Sequence, residues 1–222
     1  MFQLFTYGVR GVSGKAFALL LALGTPLAAE EPVTVLALGD SLTQGYGLPQ
    51  DEGFVPQLQH WLAEQGHDAQ LINGGVSGDT TAGGLSRVEW SLTPEVDAMI
   101  VALGGNDVLR GIAPEVARAN LDGILAVARD HGIAVMLVPM RAPGNYGPDY
   151  KADFDAIYPE LAAEYGAIPA PGFFDILMGE GGDPSTIADL MQGDGIHPNA
   201  RGVVRIVEGI GPYVEQLIDA AD

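Results

Sequence analysis

The chain contains no cysteine in its 222 residues. That absence excludes a disulfide framework, a cysteine-based zinc site, a thiol nucleophile and a lipidated N-terminal cysteine. Basic residues are scarce as well: 10 Lys and Arg stand against 29 Asp and Glu, a formal net charge of −19. Nucleic acid and anionic membrane surfaces would repel such a chain at long range, so neither is expected as a partner. Internal repeats, low-complexity tracts and a second-domain boundary are lacking too. The apolar run Ala16–Ala29 falls short of the roughly 20 residues that span a membrane comfortably.

That short run has another reading. Arg10 and Lys15 precede it, Gly24 and Pro26 interrupt it, and small residues close it at Ala28 and Ala29 before Glu30, Glu31 and Pro32. A basic flank, a short apolar segment and small residues at the end describe a secretory signal peptide. Residues 1–29 are therefore expected to be cleaved after Ala28 or Ala29. Residues 30–222 then form a single exported domain, periplasmic or secreted, with no stable membrane anchor.

What the chain has in excess is glycine, 31 residues, about twice the usual share. The glycines punctuate an alternation of short apolar runs and helix-period segments. Val33–Leu38, Gln70–Ile72, Ala98–Leu103, Ala134–Val138 and Ala167–Ile168 read as five strands. Between them, Phe54 to Leu62, Leu85 to Trp90, Pro114 to Ala128 and Phe154 to Tyr165 read as helices, with Pro159 expected to kink or split the last. Val203 to Leu217 supplies a final apolar helical stripe. Strand and helix in strict alternation mean α/β, a parallel sheet with helices on both faces.

The chemistry collects at the ends of the first three strands. The first ends in Gly39-Asp40-Ser41-Leu42, the second in Asn73-Gly74-Gly75-Val76-Ser77-Gly78-Asp79, the third in Gly104-Gly105-Asn106-Asp107. In an open parallel sheet these loops converge on one edge, where ligands bind. Ser41 offers a hydroxyl, Gly78 a backbone N–H, and Asn106 a side-chain amide, the parts that acyl transfer requires. Asp40 or Ser41 capping the next helix is the competing reading. Of four histidines, His60, His67 and His131 lie in or beside amphipathic helices among charged neighbours. His197 instead sits in the turn-rich segment Asp194-Gly195-Ile196-His197-Pro198-Asn199, three residues after Asp194. Asp194 could hold its imidazole while His197 takes a serine proton; ordinary turn and cap roles are the alternative. One His and one carboxylate are too few for a metal site. The α/β-hydrolase elbow G-x-S-x-G is absent, since Thr43 stands where its second glycine belongs.

Taken together, GDSL at 39–42, GVSGD at 75–79, GGND at 104–107 and DGIHP at 194–198 resemble the four ordered blocks of the SGNH, or GDSL-type, hydrolase superfamily. RAPGNYG at 141–147, AIYP at 156–159 and the segment 191–199 resemble its branch of bacterial periplasmic thioesterases, lysophospholipases and arylesterases. The resemblance spans essentially the whole chain after the signal. It implies a three-layer, flavodoxin-like α/β/α fold around a five-stranded parallel sheet. It also implies a monomeric, metal- and cofactor-independent serine esterase acting on small ester or thioester substrates with an acyl chain. By position, Ser41, Asp194 and His197 would form the catalytic triad. The Ser41 N–H, the Gly78 N–H and the Asn106 amide would form the oxyanion hole. The loop after the fourth strand would bring Pro143, Asn145 and Tyr146 to the substrate. A carbohydrate O-acetylesterase of the same superfamily is the nearest alternative. A non-catalytic binding module is a remote one, because it should have lost Ser41, Asn106 or His197.

Overall fold

The computed structural model describes residues 1–4, 8, 32–179, 182 and 184–221. Of the unit Met1–Glu30 only residues 1–4 and 8 are described, and they carry no helix or strand. The signal peptide expected at 1–29 otherwise lies outside the described residues. Among the described residues, no helix is long and apolar enough to cross a membrane.

The unit Glu31–Asp222 is built on five parallel strands: β1 Val33–Gly39, β2 Ala69–Gly75, β3 Ala98–Ala102, β4 Ala134–Leu137 and β5 Ile168–Pro169. Their order across the sheet is β2-β1-β3-β4-β5. This is the flavodoxin-like order, in which the chain reverses its winding direction beside the first strand. β1 is buried along its full length. Its side chains alternate between the two faces of the sheet, as a pleated strand requires. Val33, Val35 and Ala37 enter one core with Phe54, Leu58, Ile210 and Val214. Leu36 and Leu38 enter the other with Val88, Leu121, Ile124 and Phe154. A strand covered on both faces has no use for polar alternation, which is why β1 reads as a continuous apolar run.

Helices α1 Ser41–Gln44, α2 Phe54–Gln65, α3 Thr81–Ser91, α4 Gly105–Leu109, α5 Pro114–Asp130, α6 Pro148–Tyr165, α7 Phe173–Met178 and α8 Ala200–Asp219 follow in chain order. The buried residues of α2, α7 and α8 fill the first core; those of α3, α4, α5 and α6 fill the second. The structure extends several of the sequence boundaries. β2 continues through Asn73, Gly74 and Gly75, pairing Leu38 with Gly74 and Gly39 with Gly75. α3 begins at Thr81, where Thr80 caps it by accepting from the Gly83 N–H. β5 is displaced by one residue, to Ile168 and Pro169.

Helix α6 runs unbroken from Pro148 to Tyr165 with Pro159 inside it. Of the kink or split expected at Pro159, the split does not occur. Proline removes a single ladder bond, and the burial of Phe154, Ile157, Tyr158 and Leu161 on either side of it outweighs that loss.

Candidate active site

Strand register aligns the three chemistry-bearing loops. Gly39, the last residue of β1, pairs with Gly75 of β2 on one side and Ala102 of β3 on the other. Whatever follows those three residues emerges side by side at the carboxyl edge.

Ser41 is the first residue of α1, directly beyond β1. Asp40 caps that helix, its Oδ1 accepting from the Leu42 N–H at 3.0 Å. Capping and chemistry are thus divided between neighbours, and the Ser41 hydroxyl stays available. It lies 2.9 Å from His197 Nε2, across 156 residues of chain. His197 Nδ1 lies 2.7 Å from Asp194 Oδ2. With Nδ1 protonated and donating to that carboxylate, Nε2 is left to accept from the Ser41 hydroxyl.

The turn carrying His197 is braced throughout. Asp194 Oδ1 accepts from the backbone N–H groups of Ile196 and His197, at 2.9 and 3.0 Å. The Gln192 N–H donates to the His197 carbonyl at 2.7 Å, and the Gln192 amide reaches the carbonyls of Tyr46 and Pro198. Asn199 caps α8 through the Gly202 N–H. The Tyr46 ring packs on the imidazole with centroids 4.7 Å apart. The bond to His197, followed by the two backbone donors, lowers the Asp194 carboxyl to about 2. It is therefore a permanent anion wherever the imidazole works.

Gly78 and Asn106 face the same edge and line the same cleft as Ser41 and His197. Gly78 adopts φ +80°, a conformation that favours glycine. Its carbonyl accepts from Arg110 Nη2 at 2.7 Å. Asn106 Nδ2 donates to the Asp79 carbonyl at 2.9 Å and lies 3.4 Å from Asp40 Oδ2. Asp40 itself is 3% exposed. Burial raises its carboxyl to about 6, offset in part by the Leu42 N–H and by His197.

The cleft has a volume of about 1260 Å³, above the usual range of small-molecule pockets. Its lining includes the apolar side chains of Leu109, Met140, Phe174, Met178, Ile187 and Met191. Pro143 belongs to the lining, whereas Asn145 and Tyr146 do not. The Tyr146 ring packs instead on Tyr150, 4.9 Å between centroids.

Residues that the sequence reading passed over hold these loops in place. Arg87 on α3 donates from Nε to Asp79 Oδ2 at 2.8 Å, from Nη1 to the Gly74 carbonyl at 2.7 Å and from Nη2 to the Gly39 carbonyl at 2.9 Å. One guanidinium thereby ties the ends of β1 and β2 to the loop that presents Gly78. The signal was present: Arg87 shares the buried stripe of its helix with Thr81, Gly84 and Val88. A charge on an apolar stripe asks for buried partners. Asp107, fully buried, accepts from the Thr81 N–H at 2.8 Å and the Thr81 hydroxyl at 2.6 Å, joining α4 to α3.

This sheet order, with a hydroxyl, an imidazole and a carboxylate in line at its carboxyl edge, defines the class: an ester-hydrolysing enzyme of the SGNH type. Residues 37–204 match the GDSL-like Lipase/Acylhydrolase family, and the chain belongs to that family. It is 39% identical over 201 residues to Esterase TesA of Pseudomonas aeruginosa, covering 90% of this chain and 96% of that one. It is 32% identical over 188 residues to Thioesterase 1/protease 1/lysophospholipase L1 of Escherichia coli, covering 84% and 85%. Among solved structures it resembles the psychrotrophic esterase EstA from Pseudoalteromonas sp., inhibited in that crystal by monoethylphosphonate. That match has a TM-score of 0.75 at 30% identity and covers 84% of this chain and 98% of the other.

Proposed function

We propose that the protein is an exported serine esterase that cleaves carboxylic esters and thioesters with medium or long acyl chains through an acyl-enzyme on Ser41. The observation that carries this reading is the hydrogen-bonded series Ser41–His197–Asp194, at 2.9 and 2.7 Å.

In the proposed reaction His197 Nε2 takes the Ser41 proton as Oγ attacks the acyl carbonyl. Asp194, ionised at all working pH values, stabilises the imidazolium that forms. The tetrahedral oxyanion is received by the N–H groups of Ser41 and Gly78 and by the Asn106 amide. Collapse of that intermediate sends the His197 proton to the departing oxygen or sulfur. Water, activated by the same imidazole, then releases the acid. The apolar cleft favours an acyl chain beyond acetyl, with Pro143 among the residues that would meet it. Export is supported by the signal-like pattern at residues 10–29.

The test is turnover of p-nitrophenyl esters from acetyl to palmitoyl, with and without a serine-directed phosphonate. Phosphonate-sensitive turnover peaking at medium or long chains is expected, and Ser41→Ala should abolish it while leaving the fold intact. Turnover restricted to acetyl esters would shift the substrate to acetylated sugars. Full activity in Ser41→Ala would overturn the assignment of the nucleophile.

A further inference from the structure

Methionine is sparse in this chain, with six residues, and its placement is uneven. Met1 stands in the segment expected to be cleaved. Met99 on β3 and Met136 on β4 are fully buried, one in each core. The other three, Met140, Met178 and Met191, are half-buried, and all of them line the cleft. Met140 packs on the core of one sheet face, Met178 and Met191 on the core of the other, so the cleft draws its thioethers from both. A Cβ at Gly105 would stand 3.1 Å from the Met140 methyl, which brings that side chain beside the neighbour of Asn106.

A thioether is flexible and apolar enough to cover an acyl chain, yet its sulfur is open to oxidation. The chain has no cysteine, so no thiol of its own takes up an oxidant first. With hydrogen peroxide the step is a two-electron transfer. Sulfur bonds to one peroxide oxygen as the O–O bond breaks, the thioether becomes a sulfoxide, and the other oxygen leaves as water. A sulfoxide is polar and needs hydrogen-bond partners. Beside Leu109, Phe174 and Ile187 it would hold water on surface that an acyl chain would otherwise cover.

We propose that Met140, Met178 and Met191 are oxidation sites through which peroxide shifts the enzyme from longer acyl chains toward short ones. This rests on the reading that the acyl chain lies in this cleft. An acetyl group has little chain to cover and feels the change least. Met99 and Met136, shut inside the cores, are spared. The change is reversible, because sulfoxide reductases, one for each epimer, return the sulfoxides to thioethers.

The experiment treats the purified enzyme with graded hydrogen peroxide, locates sulfoxides by peptide mass spectrometry and compares kcat/KM on p-nitrophenyl octanoate and acetate. Oxidation should appear at Met140, Met178 and Met191 before Met99 and Met136. The octanoate-to-acetate ratio should then fall by roughly fourfold or more, the weight of one methylene losing its apolar cover. Reduction of the sulfoxides should restore it. In the combined variant Met140→Leu, Met178→Leu and Met191→Leu, peroxide should leave the ratio where it was. An unchanged ratio with all three sites oxidised would overturn the proposal, as would equal oxidation of Met99 and Met136. So would a triple variant whose ratio still falls. Should that variant not fold, the reductases decide: a ratio that stays low after the sulfoxides are gone refutes the role of these methionines. An untreated enzyme with no preference for octanoate would instead refute the acyl-chain reading of the cleft.

Discussion

Replacing Arg87 by methionine tests how the loops of the site are held. The substitution keeps an unbranched apolar stem and removes the guanidinium. Arg87 is buried, with its side chain 9% exposed and that of Asp79 14%. Taking one partner from a buried ion pair costs about 3–5 kcal/mol, because the other charge is left uncompensated in a poor solvent. The Gly74 carbonyl loses its Arg87 donor as well, whereas the Gly39 carbonyl keeps the Val76 N–H at 3.0 Å, so the broken ion pair dominates the loss. A loss of about 3–5 kcal/mol is a large part of the roughly 5–15 kcal/mol that holds a domain together. At about 2–4 °C per kcal/mol for a domain of this size, the melting midpoint should drop by about 6–20 °C. Circular dichroism or calorimetry on the purified protein reads this directly. Combining Arg87→Met with Asp79→Asn should cost less than the sum of the two, since the second change removes the orphaned charge left by the first. A midpoint within about 2 °C of wild type, under 1 kcal/mol on that scale, would refute the claim that this guanidinium anchors the strand ends.

Other consequences are as direct. Asp194→Asn should lower kcat by roughly 10³–10⁴ with little change in fold, because the imidazole loses the partner that sets its tautomer; steady-state kinetics checks it. Gly104→Ala should destabilise the protein and impair the Asn106 loop. Gly104 sits at φ +118°, and a Cβ there would collide with the Tyr158 hydroxyl, which donates to the Leu103 carbonyl; thermal melting checks it. For pH dependence the sign is set by the raised carboxyl of Asp40. Its folded value of about 6 exceeds its ordinary 3.8, so the stability it contributes is full below about 3.8 and is lost as pH rises through 6. The difference amounts to about 3 kcal/mol, and Asp40→Asn should abolish this part of the pH slope in denaturant titrations. Asp194 acts in the opposite sense: its lowered carboxyl contributes stability above its ordinary 3.8, which is lost as pH falls toward 2.

Much of this protein was legible without coordinates, because several of its features are local. Strands β1 and β3 announce themselves as apolar runs, since burial on both faces leaves no polar alternation to hide them. The long stripes of α5 and α8 repeat at helical spacing because each helix buries one face. Ser41, His197 and Asp194 were visible as reactive groups in turns, where a strand end or a helix start leaves side chains free. The short elements were harder. Helix α4 has five residues, beginning at Gly105 behind a Gly104 cap, and α7 has only six, too few for periodicity to register. The extension of β2 through Asn73-Gly74-Gly75 runs against strand propensity and is set by pairing with β1.

The sequence by itself determined the order of the elements, the two apolar faces of the sheet and the identity of the groups able to react. Only the tertiary structure decided which of them meet. A 2.9 Å contact between Ser41 and His197 is a consequence of parallel strand register and a braced turn, neither of which is written in any local window. The same holds for the buried charges. Arg87 is satisfied by Gly39, Gly74 and Asp79, and Asp40 is pressed against Asn106, residues remote in the chain. Burial turns an ordinary carboxylic acid into one that ionises near 6, and burial is a property of packing in three dimensions rather than of the residue's own name.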